Sequence, residues 1–390
     1  MEKKQSVLIV HNYYQLSGGE DTVVENEKML LETYGHKVIL YTRNNSELKN
    51  FNLFRKLLLP CSAIFSIQTY REVKRIIQKE KIDIVHVHNT LTLISPSVYY
   101  AAFSNKIPVV QTLHNFRMVC PGALLYRDGQ ICEECIGRGL KCSLKHDCYR
   151  NSKAQTLVSV LILGVHRLLG TYRRVNYICL TEFNKNKLLD GNGKRIFNER
   201  KMYIKPNFSL HSQEIIPYKD RKKQFVFVGR PEKVKGIDIL LEAWRDIKDF
   251  QLIICGTSNE VDNIKKYICN NHIKNIILLG KVSNSKVKEI LSESLALIMP
   301  TQWYEGFPMT IVESYSCGTP VLGSNIGNTG LLIRDGETGY RFQQDSSQDL
   351  CEKVYKLDDM TENCWRYYKE NFDAETNYNR LLEIYNRIIT

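Results

Sequence analysis

Short apolar runs of three to five residues alternate with helical stretches along the whole chain, and the alternation goes round twice. The first set is 7–10, 38–41, 84–87, 109–113, 177–180 and 202–204; the second is 225–228, 252–255, 276–279, 295–299 and 320–323. Strands that are apolar along their full length belong in a parallel sheet covered on both faces, because a sheet with one wet face needs alternation. Parallel neighbours need crossovers, and the helical stretches supply them. The pattern therefore predicts an α/β chain of two doubly wound parallel-sheet domains. Residues 1–217 form the first, with a Cys-rich insertion over 120–150. Residues 218–224, YKDRKKQ, are polar without periodicity and read as the linker. Residues 225–370 form the second domain, and a last helix within 371–390 is expected to pack back on the first. Two such domains are expected to face each other across a cleft. Sheets of this kind bind ligands beyond the carboxyl ends of their strands, so the loops after strands are the place to look.

Charge narrows the partners. Residues 1–223 carry 35 Lys+Arg against 19 Asp+Glu, a net +16, whereas 224–390 carry 19 against 23, a net −4. An anionic partner is expected at the first domain: an anionic membrane surface, a pyrophosphate-bearing acceptor or nucleic acid. The N-terminal apolar run is too short for a signal-peptide core, and the most apolar stretch, 154–169, is shorter than a bilayer span. A cytoplasmic location is expected, with the inner face of the plasma membrane as a site of peripheral attachment.

The segment Pro-Thr-Gln-Trp-Tyr-Glu-Gly-Phe-Pro-Met-Thr-Ile-Val-Glu after the run 295–299 carries the densest chemistry. Pro308 suits a first helical turn. Glu305 precedes that helix and Glu313 lies within it, with the free amides of Gly306, Phe307, Met309 and Thr310 between them. Such amides, with the helix dipole behind them, hold phosphate oxygens, while carboxylates accept hydrogen bonds from sugar and ribose hydroxyls. Gly229-Arg230 and Lys235-Gly236 follow the first strand of the same domain and add two cations. In the first domain, Ser17-Gly18-Gly19-Glu20 joins a strand to a helix, and His88 and His114 each close a strand.

These elements, in this order, resemble retaining glycosyltransferases of the GT-B fold, specifically glycosyltransferase family 4, whose E-x7-E and G-R…K-G signatures they match. Members of that family consist of two Rossmann-like domains facing across a cleft. The resemblance implies transfer of a hexose-type sugar from a nucleotide-diphosphate sugar, with retention, to a glycan or lipid-linked acceptor, as in capsule or O-antigen assembly. It implies catalytic roles for His114, Glu305, Arg230 and Lys235. Donor contacts are expected from Gly18, Gly19, Gly229, Arg230, Lys235, Glu305, Gly306, Phe307, Pro308, Met309, Thr310 and Glu313. The chain departs from the family at 326–330, Ile-Gly-Asn-Thr-Gly, where a Pro-Glu pair is common. No D-x-D triplet occurs, so no cofactor is expected for catalysis.

Five of the twelve cysteines fall between positions 120 and 148. Cys120, Cys132, Cys135 and Cys148, with Cys142 or His146 as substitutes, have zinc-ligand spacing and are expected to hold a structural zinc. The stretch 153–174 combines an apolar run with Lys153, Arg167, Arg173 and Arg174; its apolar face is expected against the first sheet, its basic flanks toward an anionic membrane. Two other readings compete: a GT-B-fold sugar-nucleotide 2-epimerase, and a zinc-containing nucleic-acid-binding protein. The second leaves the Glu305/Glu313 and Arg230/Lys235 groups unexplained, and no nucleic acid is expected as a partner.

Overall fold

The structure, a computed structural model, describes residues 4–15, 18–210 and 214–389. It divides into two units. The first joins Met1–Leu125, Cys132–Asn207 and Asn377–Thr390; the second joins Tyr126–Ile131 and Phe208–Thr376.

The first unit is built on β1 (Ser6–Tyr13), β2 (Lys37–Asn44), β3 (Ile84–Asn89) and β4 (Val109–Leu113). After a short antiparallel hairpin, β5 (Tyr126–Arg127) with β6 (Gln130–Ile131), the sheet is completed by β7 (Asn176–Cys179) and β8 (Met202–Ile204). The order is β2-β1-β3-β4-β7-β8, with every neighbouring pair parallel. Strands β3 and β4 are buried along their full length, the polar His86, His88, Asn89, Gln111 and Thr112 among their residues included. The end of the last helix, Ala374–Ile389, belongs to this unit from Asn377 onward. Tyr378 stacks on Tyr34 with ring centroids 3.7 Å apart, and Gln5 Nε2 donates to Asn386 Oδ1 at 2.9 Å.

The second unit carries β9 (Gln224–Val228), β10 (Gln251–Cys255), β11 (Ile276–Gly280), β12 (Ala296–Met299), β13 (Val321–Ser324) and β14 (Gly339–Phe342). Their order is β11-β10-β9-β12-β13-β14, again all parallel. Trp244 and Phe225 pack edge to face in its core, and burying a side chain of that size contributes roughly 2–3 kcal/mol.

Three differences from the sequence reading have simple causes. Strand β11 alternates half-buried with exposed positions, because it is an edge strand with one wet face. Strand β14 escaped notice because its exposed Arg341 breaks the apolar pattern. The stretch expected as a linker lies inside the second unit, the division falling between Asn207 and Phe208. Arg221 is buried there and donates to the carbonyls of Ile216, Ser294, Cys317 and Gly318 and to Thr319 Oγ1. A guanidinium with its donors matched in this way is structural, and polarity alone does not separate it from a solvated linker.

In a doubly wound sheet the strand order reverses at one point, and the loops leaving the two strands there diverge to open a crevice. In the first unit that point lies between β1 and β3; in the second, between β9 and β12. Gly18-Gly19, Arg230-Lys235 and Glu305 follow three of these four strands, and His88 lies near the carboxyl end of the other, β3.

Candidate active site

In the second unit, Gly236 makes the site possible. It adopts φ +77°, and a Cβ built on it would lie 1.8 Å from the Pro300 carbonyl oxygen. Only glycine lets the loop after β9 lie against the loop after β12. Gln302 N–H then donates to the Val234 carbonyl at 2.9 Å, locking the two loops together. Gly229, at φ +148°, is held through its N–H by the Cys255 carbonyl.

This packing brings Lys235 onto Glu305. Lys235 Nζ donates to Glu305 Oε1 at 2.6 Å, Trp303 Nε1 donates to the same oxygen at 2.7 Å, and Thr301 Oγ1 at 3.1 Å. The ammonium also lies 5.3 Å from the Trp303 ring centroid, a cation–π distance. Side-chain exposure is 20% for Lys235 and 11% for Glu305, so solvent screens the pair little. The backbone on either side is clamped as well: Asn328 Nδ2 donates to the carbonyls of Glu305 and Gly306, both at 2.7 Å. Asn328 sits in the segment where the sequence departs from the family pattern, and its role there was not read. Trp303 and Thr301 were missed too, though both stand within four residues of Glu305.

Immediately after the clamp, helix Met309–Ser316 begins with Pro308 at its N-terminal boundary. Its first amides and those of Gly306 and Phe307 therefore follow Glu305 directly. Phe307 packs edge to face on Phe372, and Thr310 Oγ1 lies 3.9 Å from the Met299 sulfur. Glu313, half-buried in the helix, has its carboxyl raised above the usual range by burial, with Lys288 opposing the shift. Arg230 is different. Its side chain is 64% exposed and meets Glu232 at 3.4 Å, a surface pair of small worth. Arg230 is thus a loosely held cation and Lys235 a fixed one. The Asp335–Gly339 turn is structural: Asp335 Oδ1 accepts from Arg341 N–H, and a Cβ on Gly339 would lie 1.9 Å from the Val321 carbonyl.

In the first unit, His88 and His114 line one cavity, together with Glu20, Asn115, Arg117 and Tyr99. His88 Nδ1 and His114 Nε2 are 3.0 Å apart. Burial holds both imidazoles well below the usual histidine range, so both are neutral at physiological pH. Gly18 precedes helix Gly19–Thr33, and among the described residues neither Gly18 nor Gly19 has a neighbour that a Cβ would touch. The carboxylate of Asp21 already accepts from the Gly18 N–H at 3.0 Å. Ser17 lies outside the described residues. Burial pushes the Glu20 carboxyl up to about 8, while a 3.2 Å hydrogen bond from Tyr14 Oη and the charge of Arg117 oppose the shift. Sequence reasoning passed over Glu20 as a site residue and missed Arg117; the first stands at the start of the helix that follows β1, the second in the loop after β4.

The cysteines of the insertion are free thiols. Cys135 is buried, and its thiol is pushed up to about 12, first by burial and then by its neighbours Cys120, Cys142 and Cys148. Cys148 also packs on Gly122, where a Cβ would meet its carbonyl oxygen at 3.0 Å.

Similarity to known proteins bears on both units. The family described as Glycosyl transferases group 1 matches residues 211–372, and that described as Glycosyltransferase Family 4 matches residues 17–131. The chain belongs to glycosyltransferase family 4. An uncharacterized glycosyltransferase of Methanocaldococcus jannaschii is 27% identical over 90% of this chain and 88% of its own length. The Escherichia coli UDP-Gal:alpha-D-GlcNAc-diphosphoundecaprenol alpha-1,3-galactosyltransferase is 22% identical, over 83% and 80%. Among solved structures, a glycosyltransferase from Rickettsia africae superposes over the whole of both chains with a TM-score of 0.72 at 18% identity. Anabaena HepE in complex with UDP-glucose covers 98% of this chain and 100% of its own, with a TM-score of 0.66 at 14% identity. The fold is GT-B, and this family 4 member is an enzyme, a glycosyltransferase.

Proposed function

We propose that this glycosyltransferase moves a hexose-type sugar from a nucleoside diphosphate donor to a glycan or lipid-linked acceptor, with retention and without a catalytic metal. The observation that carries the reading is the Lys235–Glu305–Trp303 knot set directly before the first turn of helix Met309–Ser316. Glu305, fixed by three donors, orients sugar hydroxyls. Amides of the helix end and the exposed Arg230 meet the diphosphate, and Glu313 takes the ribose. In the transfer, the bond from the anomeric carbon to the β-phosphate oxygen breaks and its electron pair stays on the phosphate. The acceptor hydroxyl oxygen bonds that carbon from the same face, and its proton passes to the departing phosphate. Cations and amides aimed at that phosphate supply the stabilisation that a divalent ion would otherwise give. Two relatives support the choice of substrates: HepE is solved with UDP-glucose, and the Escherichia coli enzyme is named for a diphosphoundecaprenol-linked acceptor.

The acceptor side has a fitting surface. Among the described residues no helix is long and apolar enough to cross a membrane. Helix Leu53–Ile64 nonetheless leaves Leu53 86%, Phe54 67% and Leu57 76% exposed, with Arg55 and Lys56 beside them. It packs on helix Lys153–Leu168, whose Leu157 and Leu161 are also exposed. That second helix turns Ser159, Ile162 and Leu163 to the cavity of the first unit. We read the pair as the place where the enzyme rests on an anionic leaflet in bacterial surface polysaccharide assembly. A structural zinc on Cys120, Cys132, Cys135 and Cys148, with Cys142 or His146 as substitutes, remains a proposal from their spacing; among the described residues these thiols do not form a group whose donor atoms all lie within 4.8 Å of one another. Metal analysis of the purified chain checks this: one zinc per chain supports it and none overturns it.

The test of the main reading is a thermal-shift screen of UDP-, GDP- and ADP-sugars, followed by turnover with the best binder in EDTA. A stabilising donor, transfer undiminished by EDTA and an unchanged anomeric configuration in the product are expected. No stabilisation by any sugar nucleotide, or activity restored only by a divalent cation, would overturn it.

A further inference from the structure

Behind His114 in the first unit lies a buried polar cluster that the transfer reaction leaves unused. Glu27, in helix Gly19–Thr33, is fully buried, and among the described residues neither of its carboxylate oxygens has a hydrogen-bond partner. Three nitrogens surround it instead. His86 Nδ1 lies 3.1 Å from Oε1, Lys205 Nζ 3.7 Å from Oε2, and His88 Nε2 4.0 Å from Oε2. A buried carboxylate without a compensating charge would cost several kcal/mol. Lys205 supplies that charge: it is fully buried and donates to Asn377 Oδ1 at 2.9 Å. The ligand atoms of Glu27, His86 and His88 all lie within 4.8 Å of one another, close enough to hold a cation. The Lys205 ammonium already stands at the carboxylate, however, and a second positive charge there would be repelled.

What the carboxylate does instead follows from where protons can sit. A carboxylate only accepts, so the His88 nitrogen facing it at 4.0 Å carries the hydrogen; two lone pairs facing each other in a buried cluster would repel. Among the described residues Nε2 of His88 has no hydrogen-bond partner. Neutral His88 has a single ring hydrogen, so with Nε2 protonated its Nδ1 is bare and accepts. His114 Nε2, 3.0 Å from that Nδ1, must then donate. His114 is neutral too, and its remaining nitrogen, Nδ1, is left bare. The near-parallel stacking of the rings, 23° between His86 and His88 and 19° between His88 and His114, holds this line in place. His86 is bonded on both sides by hydroxyls, Tyr385 Oη at 2.7 Å and Thr112 Oγ1 at 2.8 Å. Hydroxyls donate or accept equally well, so they do not set the tautomer; Glu27 does.

We propose that Glu27, acting through His88, fixes His114 with its hydrogen on Nε2 and a bare Nδ1, so that His114 binds a hydroxyl that donates to it. Glu27 and His88 are positioning residues. The step from a fixed tautomer to a sugar hydroxyl rests on the reading of His114 as part of the sugar site; the tautomer itself does not. An imidazole in the opposite tautomer would instead hold a carbonyl or phosphate oxygen.

The test is the nitrogen-15 spectrum of the histidine rings in the full chain at neutral pH, where protonated and bare ring nitrogens are well separated. His114 is expected almost wholly in the Nε2–H form. In Glu27→Gln the amide at position 27 donates to His88 Nε2, which reverses the line and raises the Nδ1–H form of His114 from under about a tenth to roughly half or more. A wild-type His114 protonated on Nδ1, or a tautomer unchanged in Glu27→Gln, would overturn the proposal. The wild-type spectrum decides the matter even if Glu27→Gln fails to fold. Transfer should fall about tenfold in kcat/KM in the variant, one hydrogen bond's worth. The expected tautomer in a chain that turns over no sugar nucleotide would support the relay and overturn the sugar reading.

Discussion

The pair Lys235–Glu305 gives the sharpest prediction. Lys235→Met keeps the aliphatic stem and removes the charge, leaving Glu305 with Trp303 and Thr301 as donors. A hydrogen bond between charged partners is worth about 1.5–3 kcal/mol. At 20% and 11% exposure the pair stands near the upper end of that range. Removing one preorganised electrostatic contact from an active site costs roughly a hundredfold in turnover, and the same is expected for Glu305→Gln. Because the two side chains act as one unit, Lys235→Met/Glu305→Gln should cost little more than either single change. Non-additivity of about 2 kcal/mol corresponds to roughly thirtyfold in kcat/KM. Initial rates of nucleoside diphosphate release from the best donor measure all four corners of the cycle, and thermal melts control for folding. Fully multiplicative penalties would show that Lys235 acts on the donor independently of Glu305, and a Lys235→Met enzyme retaining half its activity would refute the role of the pair altogether.

Three further outcomes are expected. Asn328→Ala frees the carbonyls of Glu305 and Gly306; kcat/KM should fall about tenfold with a melting change of only a few degrees, and an unchanged rate would remove the clamp from the account. Gly236→Ala places a methyl on the Pro300 carbonyl oxygen at positive φ. It should destabilise the second unit by about 2 kcal/mol or more and abolish donor binding, which a urea titration and a donor thermal shift would check; a near-native melt refutes the packing. His86 is pushed down to about 4, chiefly by burial. Between that value and the unfolded one near 6.5 the unfolded chain binds the extra proton, so the stability His86 contributes is full above about 6.5 and is lost as pH falls toward 4, by about 3 kcal/mol. The difference between wild type and His86→Gln in urea unfolding at neutral and acid pH isolates this contribution, and a difference that does not shrink in acid contradicts it.

What the sequence made legible follows from which forces are local. The doubly wound sheets were readable because burial on both faces leaves unbroken apolar runs at 7–10 of β1, at 225–228 of β9 and along β12. Edge strands were harder, because one wet face breaks that signature, as at Arg341 of β14. The donor loop was legible because Glu305, Pro308 and Glu313 lie within one short segment whose spacing carries chemistry. Asn328 was not, because its function is a distance: it reaches back to Glu305 only once the order β12-β13 sets the two loops side by side. The same holds more strongly for Glu27. In the sequence it is one acidic residue among several on an amphipathic helix, and its surroundings come from β3, from the segment after β8 and from the chain's last helix. A buried charge is costly wherever it stands, so a carboxylate kept in that position must be answered by specific partners. Those partners, Lys205, His86 and His88, are brought together by topology. One of them meets the histidine that the family resemblance had already singled out. The proton state of His114 is therefore set by residues that no local motif contains, and an alteration at position 27, remote from any donor contact, should reach the reaction through it.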